Sequence, residues 1–116
     1  MNPSLLKTVM AGDIVLVRYP YSDGVGNKQR PALVLSTLDA YGDALLMGIT
    51  SQAHARDVLP LTAVDMASGQ LPQVSWVKTS TLNAVHNSLF IKVIARVKPA
   101  VLAAVRSRMC PRLGCQ

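Results

Sequence analysis

The residue pattern predicts a mainly β or α+β domain: a small, strongly bent antiparallel barrel with a helix at its C-terminal end. Three observations predict it. Short apolar, β-branched runs recur at close spacing. Gly- and Pro-containing turns separate them. The clear helical spacing follows Pro99, after the strands, so the order is not the strand–helix–strand alternation of a parallel sheet.

The first run, Asp13 to Tyr19, carries Ile14, Val15, Leu16 and Val17 between Gly12 and Pro20, which favours a strand over a helix. Residues 20–29 (PYSDGVGNKQ) read as a loop. Pro31 to Thr37 (PALVLST) reads as a second strand, with Pro at its start, where a missing donor is tolerated. Tyr41-Gly42-Asp43 marks a turn, and Ala44 to Thr50 (ALLMGIT) a third strand. Residues 51–57 are polar and looplike. Val58 to Thr62 is a short strand limited by Pro60, and residues 63–72 read as mostly connection. Gln73 to Thr79 (QVSWVKT) alternates, with Val74 and Trp76 on one face and Ser75 and Val77 on the other. Trp76 is expected in the core. Ser80 to Asn87 reads as a turn or short helical piece, and Ser88 to Lys98 as another strand. Pro99 opens the helix, because its missing N–H would be unpaired there anyway. Val101, Leu102, Val105 and Met109 form its apolar stripe, and Pro111 and Gly114 are expected to stop it. The domain is thus expected over residues 11–110, with an N-terminal extension at 1–10 and a flexible tail at 111–116.

The chain has 116 residues, half of them hydrophobic. That suffices for one packed domain and excludes two-domain enzymes and long solenoids. No apolar run approaches the roughly 18 to 20 residues of a membrane span. Lys plus Arg is 12 and Asp plus Glu is 6, giving a net charge of +6. All the acids are Asp, and none follows Asp65. Seven bases, Lys78, Lys92, Arg96, Lys98, Arg106, Arg108 and Arg112, follow it. Such a field suits a polyanion or an acidic partner. Cys110 and Cys115 lack CxxC spacing and a His cluster, and read as reduced thiols. No signal peptide is evident at the N-terminus, and a cytoplasmic location is expected.

The common catalytic motifs are missing. With no Glu and scattered Asp, a two-carboxylate or two-metal mechanism has little material, and no cofactor or metal is expected. Arg, Lys, His, Ser and Thr remain, a set suited to phosphoryl chemistry. Arg grips phosphate oxygens bidentately and stabilises charge developing in a transition state.

Several stretches together carry a resemblance. Gly12-Asp13-Ile14-Val15-Leu16-Val17, the segment PYSDGVGNKQRPALVLS at 20–36, Ile49-Thr50-Ser51-Gln52, and Leu71-Pro72 followed by Ser75-Trp76-Val77-Lys78-Thr79 resemble the MazF/PemK family of toxin ribonucleases. The resemblance runs from about Gly12 to Met109. It implies a small SH3-like barrel with a C-terminal helix, of the MazF/PemK/CcdB kind. It implies a homodimeric, metal-independent endoribonuclease toxin, paired with an acidic antitoxin and acting on single-stranded RNA.

In that family Arg30 corresponds to the catalytic Arg of the RP motif, and Thr50 to a second active-site residue. Arg30 suits charge stabilisation at phosphorus. An alcohol is a poor base, so Thr50 suits hydrogen bonding to the phosphate or orienting the 2′-OH. Asn27, Lys28 and Gln29, on the first loop, and Ser51, Gln52, His54 and Lys78 are candidate RNA contacts. His54 also titrates near neutrality and is a candidate acid or base. The chain departs from the pattern at Ser80, Thr81 and Asn83, where the family resembled has Asp-Lys or Asp-Gln and, shortly beyond, an Arg. That departure keeps open a second reading, a catalytically weak or inactive protein of the same fold that acts by binding, as a gyrase poison or a nucleic-acid-binding module. Toxins of the CcdB type poison DNA gyrase, so fold alone does not settle the target.

Overall fold

A computed structural model describes residues 9–20, 27–52 and 57–115, with Tyr19, Pro20 and Asn27 described by their backbone alone. Among the described residues eight antiparallel strands form a curled half-barrel, with one helix packed on it. The strands are β1 (Asp13–Pro20), β2 (Asn27–Val34), β3 (Asp43–Thr50), β4 (Val58–Leu61), β5 (Met66–Gly69), β6 (Ser75–Lys78), β7 (Asn83–His86) and β8 (Phe90–Val97). Helix α1 spans Pro99–Leu113.

The sheet order is β4-β6-β3-β2-β1-β8-β5, with β7 pairing β3 off this path. The two ends of the path, β4 and β5, are joined by Thr62 to Asp65 alone. Four residues bridge at most roughly 18 Å, whereas seven strands laid flat would put their edges about 29 Å apart. The sheet therefore has to curl. Irregularities in the β1–β8 register between Ile14 and Val15 and between Leu16 and Val17 supply bends.

Both faces of the sheet are covered. Ile14, Leu33, Met47, Ile49, Val77 and Val97 form one buried cluster with Val101 and Val105 of α1. Val15, Val17, Ala32, Val34, Ala44, Leu46, Val85 and Phe90 form the other. Alternating side chains along β1, β2 and β3 go to alternate clusters, so these strands read as continuous apolar runs. The Gly12-Asp13 pair anchors the junction of three strands. Gly12 sits at φ 101°, a conformation open mainly to glycine. Its N–H donates to the Val34 carbonyl and its own carbonyl accepts from Val97 N–H. Asp13, buried, pairs with Arg96 at 2.8 Å and accepts from Met10 N–H at 3.0 Å.

Six local expectations are corrected. β2 begins at Asn27, inside the expected loop, because β1 continues to Pro20 and keeps pairing with it (Pro20↔Asn27). Residues 66–69 and 83–86 are strands, held by backbone ladders to β8 and β3. Trp76 is only half-buried and belongs to neither core cluster. Val77 is the side chain that β6 buries completely. The helix runs past Cys110 to Leu113, with Pro111 inside its last turn. Proline there removes a single backbone donor close to the helix end, where its effect is smallest. Cys110 and Cys115 are joined as a disulfide instead of standing as separate thiols. Gly114, at φ 74°, turns the chain left-handed after α1 and brings the two Cα atoms to 4.9 Å.

Candidate active site

One face of β2 and β3 changes character along its length. Val34 and Ala32 are buried in the second cluster, and the next residues of the same parity are Arg30 and Lys28. Ala44 and Leu46 are buried likewise, and Gly48 and Thr50 follow. Because side chains alternate with period two, all eight positions share one face. Its inner end is apolar and closed, its outer end polar and open.

Register explains the opening. β2 stays paired with β1 along its whole length, but its ladder with β3 stops at Ala32↔Gly48. Pro31, with no N–H, stands next along β2 and has no donor to extend that ladder. β3 instead turns to β6 through Ile49↔Val77 and Thr50↔Trp76. The divergence leaves a groove of about 900 Å³. Lys28, Gln29, Arg30 and Pro31 of β2 line it on one side, with Gly48, Ile49, Thr50, Ser51 and Gln52 along β3 and its exit. Pro72, Gln73, Ser75, Lys78, Thr81 and Asn83 complete it from the β6–β7 side.

The groove's electrostatics are one-sided. Lys28, Arg30 and Lys78 line it, and no carboxylate does among the described residues. Gly48 lies beside the Lys78 stem, and a methyl added there would make an ordinary contact at 3.8 Å from Lys78 Cδ. The Thr50 hydroxyl accepts the Gln52 N–H at 3.1 Å, which fixes the turn leaving β3. Buried Ser75 donates to the Gln73 carbonyl at 2.9 Å and so holds the segment entering β6. Three arginines outside the groove also have partners. Arg96 is paired with Asp13, Arg108 donates to the Val58 carbonyl at 2.9 Å, and Arg112 reaches the Ser80 carbonyl at 3.5 Å.

Of the residues singled out from sequence, Arg30, Thr50, Lys28, Gln29, Ser51, Gln52 and Lys78 all line this groove. Lys28 and Gln29 do so from a strand and not from a loop. Asn27 stands at the start of β2 with its side chain outside the description, and His54 lies outside the described residues. Trp76 faces Thr50 across the β3–β6 ladder but does not line the groove. Gly48, Gln73 and Ser75 went unnoticed. Parity along β3 could have found Gly48. Thr81 and Asn83, noted only as departures from a pattern, turn out to be lining residues. Among the described residues no group of three or more His, Cys, Asp or Glu converges as a metal site.

The family model for the PemK-like, MazF-like toxin of type II toxin-antitoxin systems matches residues 10–112. The chain belongs to this family. Among solved structures, it is similar to MazF from Deinococcus radiodurans (25% identity, 91% of this chain and 96% of that one, TM-score 0.72). The MazE-MazF structure from the same organism is similar too (24% identity, 93% and 98% covered, TM-score 0.77). An endoribonuclease in complex with its cognate antitoxin from a mycobacterial species shares the fold at 14% identity (93% and 95% covered, TM-score 0.69). No curated protein matches the chain. The curled half-barrel and terminal helix are thus the MazF fold. The groove is the place where this PemK/MazF-type chain gathers its candidate chemistry.

Proposed function

We propose that the chain is the toxin of a toxin–antitoxin pair and cuts single-stranded RNA in the β2–β3 groove. The observation that carries this reading is the meeting of Arg30 and Thr50 with Lys28 and Lys78 in a groove whose described lining holds no acid. Such a lining attracts a phosphodiester backbone and has nothing to repel it.

The reaction is transesterification. The ribose 2′-OH attacks the adjacent phosphorus, the bond to the 5′-oxygen breaks, and the attacking hydroxyl's proton departs as the leaving oxygen gains one. The products are a 2′,3′-cyclic phosphate and a 5′-OH. Negative charge grows on the phosphorane oxygens, and a guanidinium at Arg30 meets it with two parallel donors. Thr50 orients the 2′-OH or a phosphate oxygen. Lys28 and Lys78 hold flanking phosphates as point charges. Charge compensation thus comes from the protein's own cations, and the cleavage is metal-independent.

The similar structures include complexes of a MazF with a MazE and of an endoribonuclease with its antitoxin. By that likeness, and by the net charge of +6, the partner is an acidic cognate antitoxin, drawn by long-range attraction that salt weakens. The toxin acts as a homodimer in the cytoplasm, where its expression arrests growth. The Cys110–Cys115 disulfide closes only the end of the chain, and neither residue lines the groove. No helix of the described residues is long and apolar enough to cross a membrane.

The test is incubation of the purified protein with single-stranded RNA in excess EDTA, followed by analysis of the fragment ends. Cyclic-phosphate and 5′-OH ends are expected, and Arg30→Ala should remove them while leaving the fold in place. Absence of cleavage, or EDTA-sensitive cleavage leaving 3′-OH ends, would overturn the proposal. A protein inactive on RNA that still arrests growth through topoisomerase would favour the gyrase-poison reading.

A further inference from the structure

The groove is also lined by carboxamides, and they divide into two pairs. Gln29 adjoins Arg30, and Gln52 is tied to Thr50 through its backbone N–H. Gln73 and Asn83 come from the β6–β7 side, across β3 from the Arg30 strand. Resting on the reading of this groove as an RNA site, we infer that Gln73 and Asn83 select bases next to the cut.

The chemistry leaves few other means of selection. Aromatic side chains bind bases by stacking, which tolerates any sequence, and no aromatic residue is among the described lining. The proposed function assigns Lys28, Arg30 and Lys78 to phosphates, and phosphate contacts carry no sequence. A carboxamide presents a donor beside an acceptor and matches a base edge that does the same, as with N6 and N7 of adenine. Unpaired RNA bases expose such edges. Both residues are also exposed, on backbone that is held in place. Asn83 is fixed opposite Leu46 in the β3–β7 ladder. The Gln73 carbonyl is held by the buried Ser75 hydroxyl at 2.9 Å. With the backbone already fixed, binding has only the side-chain rotamers left to order.

The experiment compares wild type, Gln73→Ala, Asn83→Ala and the double variant on a randomised single-stranded RNA pool, with the new 5′-OH ends sequenced. The double variant is expected to keep cleaving, with its preference at one or two positions beside the cut reduced roughly 5- to 150-fold, the range for one bidentate base contact. Asn83→Asp, which keeps the acceptor and loses the donor, should shift the preferred base at the same position. Melting curves separate this from unfolding, and Asn83→Ser replaces Asn83→Ala if the strand loosens. A cleaving wild type whose base profile is unchanged in the double variant overturns the inference alone. A wild type that cleaves no RNA overturns the nuclease reading, and this inference with it.

Discussion

The two ends of one sheet face are built from the same pair of strands and do opposite work. At the inner end Ala32, Val34, Ala44 and Leu46 are sealed from water. At the outer end Lys28, Arg30, Gly48 and Thr50 continue the same rows into an open groove. Apolar burial at the inner end fixes register, because a one-residue slip would turn every side chain to the wrong face. Register then delivers Arg30 and Thr50 to the groove. The inner end therefore stabilises, and the outer end presents polar and basic side chains to the groove.

The sharpest way to break this division is at the inner end. Leu46 is 1% exposed in the second cluster. Leu46→Ala removes buried methyl groups and leaves a cavity, costing about 2–5 kcal/mol. In a domain of this size that lowers the melting temperature by roughly 10–20 °C, readable by circular dichroism. Below the transition, cleavage per folded molecule should stay near the wild-type value. A large loss of activity with an unchanged melting point would show that the two ends are not separable.

The reverse change extends the apolar row outward. Gly48 has an ordinary backbone conformation, and its nearest neighbour beyond the chain is the flexible Lys78 stem. Gly48→Ala should be neutral or mildly stabilising, by up to about 1 kcal/mol. Gly48→Leu should fold as well but fill the groove floor, and RNA cleavage should fall by about tenfold or more. The two together ask whether the glycine serves the strand or the groove.

How far the sequence spoke differs between the ends for the same reason. The inner end was legible because β1, β3, β8 and α1 carry runs of buried apolar side chains, and Pro99 marks the helix start. β5 and β7 were not. Met66–Gly69 buries no side chain completely and Asn83–His86 buries only Val85, so their strands rest on backbone pairing that side-chain patterns do not record. The start of β2 failed likewise, since Asn27 to Arg30 has no apolar alternation and pairs because β1 extends past Tyr19. At the outer end Arg30 and Thr50 were reached through a family resemblance. Gln73 was not reached and Asn83 was noted only as a departure, because what brings them to the groove is the path of β6 and β7.

A subtler comparison sets groove bases against the others. Lys78 lines the groove, whereas Lys92, on β8, does not. Binding of an uncleavable 2′-O-methyl RNA should weaken with salt for the wild type. Lys78→Ala should reduce the slope of log affinity against log salt by about 0.7, the value for one phosphate contact on a single strand. Lys92→Ala carries the same charge change and should leave the slope nearly intact. Equal effects from both would mean that the whole field of the domain, and not the groove, holds the RNA.

The smallest expected effect is at the turn that launches β3. The Asp39 carboxylate is held below its ordinary value of 3.8, chiefly by the Asp43 N–H, with the Tyr41 and Gly42 N–H groups and the nearby His86 adding to it against a desolvation that opposes it. Its Oδ1 accepts from Asp43 N and Tyr41 N at 2.9 Å each. A carboxylate lowered in the folded state stabilises fully above its unfolded value and loses that contribution as the pH falls through the folded one. Asp39→Asn should therefore melt slightly below the wild type near neutral pH, and the gap should close as the pH drops below about 4. The side chain is fully exposed to solvent screening, so the gap is small at every pH and shrinks further in salt. Because the turn feeds the inner end of β3, the substitution should leave cleavage by the folded protein unchanged. A pH-dependent loss of cleavage without loss of fold would instead tie this turn to the groove, 7 residues of strand away at Thr50.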